Sequence, residues 1–105
     1  MKLVGIDWDD DKNEINKREH DLAFEDVQYV FTDPERLERI DRSEGNTSGE
    51  ERWQTLGMVG KVLFVVYTER GEKKRIISAR AAEKHERRSY NGYYRIDGMG
   101  WSKDT

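Results

Sequence analysis

Residues 62–90 read VLFVVYTERGEKKRIISARAAEKHERRSY, a strongly apolar start with a strongly basic continuation. The first six residues are uncharged and mostly aliphatic, which is typical of a buried strand. The basic residues that follow are Arg70, Lys73, Lys74, Arg75, Arg80, Lys84, Arg87 and Arg88. The stretch therefore predicts a core strand, a turn, and then a second strand and a helix that carry dense positive charge.

The turn decides how these side chains are distributed over the two strands. If residues 70–71 form a two-residue hairpin loop, Thr68 faces Lys73 across the pair. Because side chains alternate along a strand, Arg75 and Arg80 then reach one surface only if a bulge or the strand end intervenes. The position of Arg80, where the second strand gives way to the helix, leaves its direction open.

A last helix is predicted over residues 81–90, where the Asn-Gly pair at 91–92 ends it. Counted from the strand end, Arg80, Lys84 and Arg87 recur at i, i+4 and i+7. This spacing lines them along one side of a helix next to the sheet. The alternative is a solvated surface, in which Glu83 pairs with Arg87 and contributes only ~0.3 to 0.5 kcal/mol.

Upstream, the stretch KLVGIDW predicts a short first strand, and the acidic run DDD at 9–11 caps a helix that continues to about His20. The stretch LAFEDVQYVF predicts a second, amphipathic helix that Pro34 ends near Asp33. Further strands are predicted at about residues 37–42, 52–59, 61–68 and 73–80, with a polar loop, RSEGNTSGEE, between the first two of these.

The elements together predict an α+β fold: an antiparallel sheet of about four strands, two N-terminal helices and one C-terminal helix, with helices covering one face of the sheet. A chain of 105 residues suits one compact domain, which we place at residues 1–90. The tail at residues 91–105 holds turn residues and aromatics without a clear period, so it is either a docking arm or disordered.

Charge is divided unevenly along the chain. The whole carries a net charge of -3, but residues 1–60 hold sixteen acidic and eight basic side chains, and residues 61–105 hold eleven basic and six acidic ones. This division suggests an anionic partner for the second part of the chain, and either solubility or a cationic partner for the first.

Composition excludes several classes of protein. No apolar run approaches the ~20 residues of a membrane span, and the acidic N-terminus lacks the pattern of a signal peptide, so we expect a soluble cytoplasmic protein without a membrane partner. The chain has no cysteine and only two histidines, His20 and His85. We therefore expect no disulfide, no metal site and no cofactor.

The sequence resembles the BrnT family, whose members are the toxins of BrnT/BrnA type II toxin-antitoxin pairs. BrnT toxins are small ribonucleases with a RelE-like fold. The resemblance covers about residues 6–90 and is carried by DWDDDKNEINKREH, FEDVQYVFTDP, EERWQTLG and, above all, residues 62–90. One departure falls where the family usually has Lys-His-Gly, because this chain has Glu19, His20 and Asp21. The tail from Asn91 onward has no counterpart that we can match.

The resemblance implies cleavage of RNA without a metal, through attack of a ribose 2′-hydroxyl on the adjacent phosphate. This reaction needs a base, an acid, and cations where negative charge grows on the phosphorane. Arginine suits the last role, because its planar fork can hold two phosphate oxygens. The implied catalytic residues are Glu69, Arg70, Arg80, Arg87 and His20, and the implied nucleic-acid-binding residues are Lys73, Lys74, Arg75, Lys84 and Tyr90.

Several of these roles have structural alternatives. His20 has a reference pKa near neutrality, but it could equally cap the first helix or bond to the core. Glu86 could simply orient an arginine. Tyr67 and Tyr90 could stack on bases or belong to the core, and Trp53 fits sheet packing better than a base platform.

The implied partners are an RNA substrate and a BrnA-like antitoxin, with operator DNA contacted only through the antitoxin. Such a toxin would inhibit translation and growth. Two other functions remain open from the sequence: a non-catalytic RNA-binding module, which would bind RNA without cutting it, and a protein-interaction module, which would show no RNA affinity at low salt.

Overall fold

The computed structural model describes residues 1–43, 49–93 and 100–103. Its strands are β1 (Ile6–Trp8), β2 (Leu37–Ile40), β3 (Arg52–Val59), β4 (Lys61–Arg70), β5 (Lys73–Ala81) and β6 (Ser102–Lys103). Its helices are α1 (Asp10–His20), α2 (Phe24–Val27) and α3 (Lys84–Arg88); a 3-10 turn (Gln28–Thr32) extends α2 and a π turn (Ser89–Tyr93) follows α3.

The fold is α+β, as predicted, but the sheet is larger and mixed. The described strands form one sheet of six in the order β1-β5-β4-β3-β2-β6. The prediction of about four antiparallel strands was wrong at both edges, because β1 pairs in parallel with β5 and β6 pairs with β2. Both edge strands are short, and their partners are distant in sequence, so no local pattern announces the pairing.

The first helix forms as the acidic run predicts. The Asp9 carboxylate accepts hydrogen bonds from the backbone N–H groups of Asp11 and Lys12 at 2.8 and 3.3 Å, which is the geometry of an N-cap. The predicted second helix is shorter: α2 gives way to the 3-10 turn, which ends before Asp33 and Pro34. Phe24, Val27 and Val30 are fully buried, so the apolar stripe was identified correctly.

Two apolar clusters lie on the two faces of the sheet. On the helix-covered face, α2 and its 3-10 extension pack on β1, β4 and β5 through Trp8, Phe24, Val65, Ile76 and their neighbours. The close approach is marked at Gly57, where an added Cβ would lie 2.8 Å from the Val30 Cβ. On the opposite face, a smaller cluster gathers residues Leu37, Leu56, Val62, Ala82 and Trp101.

The hairpin between β4 and β5 differs from the predicted register. The turn lies at residues 71–72, so Arg70 pairs with Lys73, and Thr68 pairs with Arg75 instead of Lys73. A bulge then interrupts the ladder, because Tyr67 faces Ile76 and Val66 faces Ser78. Ile77 is the extra residue. The bulge is the condition under which Arg75 and Arg80 can share a face, and both lie opposite the helix-covered face.

The predicted last helix begins later than expected. β5 continues to Ala81, and α3 covers only Lys84–Arg88, so Arg80 lies in the strand and is not part of a helical stripe with Lys84 and Arg87. Of the tail, the described residues 100–103 dock on β2, where Trp101 is buried. Residues 94–99 and 104–105, and residues 44–48 of the predicted loop, lie outside the described part of the chain.

Candidate functional site

Most of the charged site residues proposed from residues 62–90 fall into two groups at opposite ends of the β4–β5 hairpin. One group, the hairpin tip, comprises Glu69, Arg70, Lys73 and Lys74; the other, the α3 end, comprises Arg80, Lys84 and Arg87. Arg80 lies opposite Phe64, six residues along β4 from Arg70. At ~3.4 Å per residue the two groups are roughly 20 Å apart, too far to contact one phosphate together.

At the hairpin tip the charges largely pair with one another. Arg70 contacts Glu50 at 3.2 Å, and Glu69 lies 3.5 Å from Lys74. Lys74 also lies 5.4 Å from the centre of the Tyr67 ring. These side chains are exposed or half-exposed, so the pairs contribute little to stability. The hairpin tip is therefore a mixed-charge surface and not a concentrated cation site.

Arg75 holds the β1 edge to the sheet. Its Nη1 lies 2.9 Å from the Asp7 carboxylate and its Nη2 lies 3.9 Å from that of Asp9. Hydrogen bonding from Lys2 lowers the pKa of Asp7, and the charge of Arg75 acts in the same direction. From the sequence, Arg75 was proposed as a nucleic-acid contact. In the structure its guanidinium is paired with the carboxylates of Asp7 and Asp9.

At the α3 end, Arg80 is held by a buried carboxylate. Its Nη1 and Nη2 donate to the two oxygens of Glu86 at 2.7 and 2.9 Å, and the Glu86 side chain is only 3% exposed. Glu86 also accepts the backbone N–H of Glu83 at 2.7 Å as part of a capping box at the start of α3. The prediction that Glu86 could orient an arginine is consistent with this geometry.

The Arg80 guanidinium keeps hydrogen-bond donors for a ligand. Of its five N–H groups, two donate to Glu86 and one to the Ala81 carbonyl at 3.2 Å. Glu83, proposed from the sequence as a partner of Arg87, instead lies 3.6 Å from Nη2 of Arg80. Among the described residues the Nε–H group donates to no acceptor, so Nε and Nη2 present a second edge. The side chain is 31% exposed, and its guanidinium carbon lies 4.1 Å from the centre of the Phe64 ring.

Electrostatics keep this pair ionised. Burial acts to raise the pKa of Glu86, but the hydrogen bonds from Arg80 and from the Glu83 backbone outweigh it and lower that pKa. The hydrogen bonds to Glu86 raise the pKa of Arg80. Glu86 is therefore a fixed anion that positions Arg80, and it is unsuited to accept a proton near neutral pH.

The other two members of the α3 end differ in their contacts. Arg87 donates from Nη1 to the Ala82 carbonyl at 2.8 Å, just beyond the end of β5. Lys84 is exposed in the first turn of α3. Both lie on the element that also carries Glu86, so they add positive charge close to Arg80.

His20 ends α1, and the direction of α1 leads toward the same end of β5. Asp9, before the helix, lies near Arg75, and the Asn16 side chain accepts the backbone N–H of Ala79 at 2.9 Å. His20 lies four residues after Asn16, and therefore on the same side of the helix and ~6 Å further along it. The imidazole is 38% exposed and 3.9 Å from the Glu19 carboxylate.

The aromatic candidates are mostly structural. Tyr67 is fully buried and donates to Glu38 at 2.5 Å; burial and this bond raise its pKa. Tyr90 packs against the cluster around Leu37 and donates to Asp33 at 2.6 Å. Trp53 pairs with Tyr67 across β3 and β4. Tyr67 is therefore excluded as a base-stacking residue, and Tyr90 has a structural hydrogen bond as well as its ring.

Sequence reasoning missed a second arginine on the same face as Arg80. Arg39 on β2 lies 4.0 Å from the Trp101 ring centre, and Trp101 contacts Phe64 edge-to-face with ring centres 6.4 Å apart. Burial lowers the pKa of Arg39, and the charges of Glu86 and Asp41 oppose that effect. No local pattern linked Arg39 to Trp101, since only the pairing of β6 with β2 brings them together.

Within residues 1–43, 49–93 and 100–103, no three His, Cys, Asp or Glu side chains are grouped so that they could hold a metal ion. In the same ranges, no helix is long and apolar enough to cross a membrane.

The family model for the BrnT ribonuclease toxin of type II toxin-antitoxin systems matches residues 8–86. The chain belongs to this BrnT family. The matched range begins at Trp8, the last residue of β1, contains β2 to β5, His20, Arg39, Arg80 and Glu86, and ends before Trp101.

The fold agrees with a solved member of the family. The crystal structure of the BrnT ribonuclease toxin from Brucella abortus matches with a TM-score of 0.53 at 20% identity, covering 75% of this chain and 96% of that one. At this identity the likeness supports the fold alone. Among curated proteins, none matches.

Proposed function

We propose that this BrnT-family chain cleaves RNA at the α3 end of the sheet, by attack of a ribose 2′-hydroxyl on the adjacent phosphate without a metal. The observation that carries the proposal is Arg80, which the buried Glu86 fixes on the face opposite α2 and whose Nε–H donates to no acceptor among the described residues. A preorganised guanidinium of this kind stabilises charge that develops on a phosphorane.

Lys84 and Arg87 are proposed to bind the phosphates next to the cleaved one. His20 is proposed as a proton-transfer group, supported by the course of α1 toward this end of β5. Because Glu69 and Arg70 lie roughly 20 Å away by strand spacing, we assign the hairpin tip, with Lys73 and Lys74, to outer contacts with the RNA strand.

The chain is further proposed to inhibit translation and growth until a BrnA-like antitoxin covers this basic face, with operator DNA contacted only through the antitoxin. Family membership supports an antitoxin partner and an RNA substrate. The identity of the antitoxin and the RelE-like class are expectations from the resemblance, and the cytoplasmic location is an expectation from the composition.

The test uses protein purified free of antitoxin and a single-stranded RNA in the presence of EDTA. We expect cleavage that leaves a 5′-hydroxyl end and a cyclic phosphate, as the 2′-hydroxyl route requires. His20→Ala should slow the reaction while leaving RNA affinity unchanged. Activity that EDTA abolishes and Mg²⁺ restores would refute the metal-free route; intact RNA under all conditions would refute the enzyme.

A further inference from the structure

A groove of about 670 Å³ lies beside the proposed cleavage site, between β2, β3 and the docked C-terminal segment. Its lining is part polar and part apolar, and it includes Glu38, Arg39, Arg42, Trp53, Gln54 and Ser102. The segment 100–103, which forms one wall of this groove, lies outside the range matched by the family model.

Arg39 is the most tightly positioned side chain of the groove. Its Nε donates to the Gln54 side-chain carbonyl at 2.7 Å, and the Gln54 amide donates to the Asp41 carboxylate at 3.0 Å. One side of the guanidinium lies over Trp101 at 4.0 Å from the ring centre. These contacts fix the plane of the guanidinium, which is the preorganisation that a stacking site needs.

Trp101 is held in place by contacts of its ring and not by its N–H group. The residue is 5% exposed, and its indole nitrogen has no hydrogen-bond partner in the described part of the chain. Leaving a buried donor without an acceptor costs free energy. The contacts of the ring with Arg39 and Phe64 offset this cost and hold the residue in place. Pairing of Ser102 with Glu38, and of Lys103 with Leu37, fixes the segment.

A series of ring contacts connects Arg39 in the groove with Arg80. Arg80 lies over Phe64, Phe64 contacts Trp101, and Trp101 carries Arg39. Arg80 on β5 and Arg39 on β2 are separated by three inter-strand spacings, or about 14 Å. A single RNA strand that places a phosphate at Arg80 and crosses the strands would reach the groove.

We propose that the groove binds a nucleobase of single-stranded RNA, stacked on the guanidinium plane of Arg39. The lining holds two arginines, Arg39 and Arg42, against one carboxylate, Glu38, which suits the nearby phosphates. Unpaired bases stack on arginine planes as they do on aromatic rings. The assignment rests on the proposed function for its substrate, and it makes Arg39 a specificity-determining contact away from the cleaved bond.

The test measures binding of a labelled octanucleotide whose 2′-hydroxyls are methylated, so that the protein cannot cleave it. We expect Arg39→Ala and Arg39→Lys each to weaken binding about five- to tenfold, because both lose the stacking plane. Arg18→Ala is the matched control: Arg18 lies two residues after Asn16, on the side of α1 turned away from β5, and its loss should change binding less than twofold. Gln54→Ala keeps Arg39 and Trp101 but loosens the guanidinium, and should weaken binding in the same direction.

Parental affinity of the Arg39→Lys variant would overturn the stacking assignment. Binding by Arg39→Ala no weaker than that by Arg18→Ala would overturn it too, as would a parent that does not bind the octanucleotide. Parallel incubation with the unmethylated octanucleotide tests the proposed function separately. A parent that binds through Arg39 but leaves this RNA intact would refute the ribonuclease and leave the groove assignment standing.

Discussion

Arg80 and Glu86 form a unit in which the carboxylate matters as much as the cation. Glu86 is almost completely buried, and two hydrogen bonds from the Arg80 guanidinium and one from the backbone replace its lost hydration. The two guanidinium bonds use Nη1 and Nη2 of Arg80, and its Nε–H donates to no acceptor in the described part of the chain. A variant at this position therefore changes the fold and the chemistry together.

We expect Arg80→Lys to lower RNA cleavage by roughly 10²–10³, the effect of losing one donor to a transition state. The variant should also lose roughly 1–3 kcal/mol of unfolding free energy, because a lysine cannot satisfy both Glu86 oxygens. Cleavage rates and urea unfolding measure the two effects. Arg18→Lys, an exposed control on α1, should change neither. Parental cleavage by the lysine variant would reduce Arg80 to a phosphate anchor.

Tyr90 offers a residue-scale comparison between stacking and structural roles. Its hydroxyl donates to Asp33, which also accepts the backbone N–H groups of Met58 and Glu35 at 2.8 and 2.9 Å. We expect Tyr90→Phe to keep RNA affinity but to lower the unfolding free energy by about 1–3 kcal/mol, because the bond ends on a charged group. Tyr29→Phe, at a tyrosine that is 46% exposed, is the control and should be neutral in thermal unfolding. Weaker RNA binding by Tyr90→Phe would argue for direct contact of the hydroxyl with RNA.

At the scale of elements, patterns within a segment were predictable and pairings between distant segments were not. The N-cap at Asp9, the apolar stripe of residues 24–30 and the bounds of β3 follow from local periodicity and turn chemistry. The parallel pairing of β1 and the docking of β6 depend on contacts more than 60 residues apart in sequence. Two- and three-residue strands carry too little periodicity to predict such contacts.

The bulge at Ile77 is the element that converts a sequence pattern into a site. Without it, strict alternation would direct Arg80 to the face covered by α2, where Val65 and Ile76 are buried. From the sequence it was clear that Arg75 and Arg80 share a face only if a bulge or the strand end intervenes. Whether a bulge forms could not be predicted, because a bulge without glycine has no local signal here. The same limit explains the split of the basic residues into two groups, since strand length, and not charge density, determines their separation.

At the scale of the whole molecule, the two basic groups make separable contributions to RNA binding. We expect Lys84→Ala with Arg87→Ala to flatten the slope of log affinity against log salt by about 1.4, or ~0.7 for each phosphate contact on a single strand. The matched double variant at Lys73 and Lys74 removes the same charge at the hairpin tip, where Lys74 already faces Glu69, and should flatten the slope less. Titrations at several salt concentrations measure both slopes. A larger effect at the hairpin tip would move the main RNA contact there.

Acid should destabilise the molecule through the carboxylates that accept several hydrogen bonds, Asp33 and Glu86. Burial acts to raise the pKa of Asp33, but the hydrogen bonds from Tyr90, Glu35 and Met58 outweigh it, so the pKa lies below its ordinary value, as it does for Glu86. A carboxyl with a lowered pKa in the folded state stabilises the fold above its unfolded pKa of about 4, and this contribution is lost as the pH falls through the folded value. Stability should therefore be level near neutral pH and decline below about pH 4 to 5.

Asp33→Asn isolates the share of one carboxyl in this decline. The amide keeps the shape but loses the charge, so we expect lower stability than the parent at pH 7 and a shallower loss on acidification, with the two curves converging at low pH. Urea midpoints between pH 7 and pH 3 measure both curves. Parallel curves would mean that Asp33 has the same pKa in the folded and unfolded chains. Its three hydrogen bonds would then not favour the ionised form, and the acid response would rest on Glu86 and the remaining carboxylates.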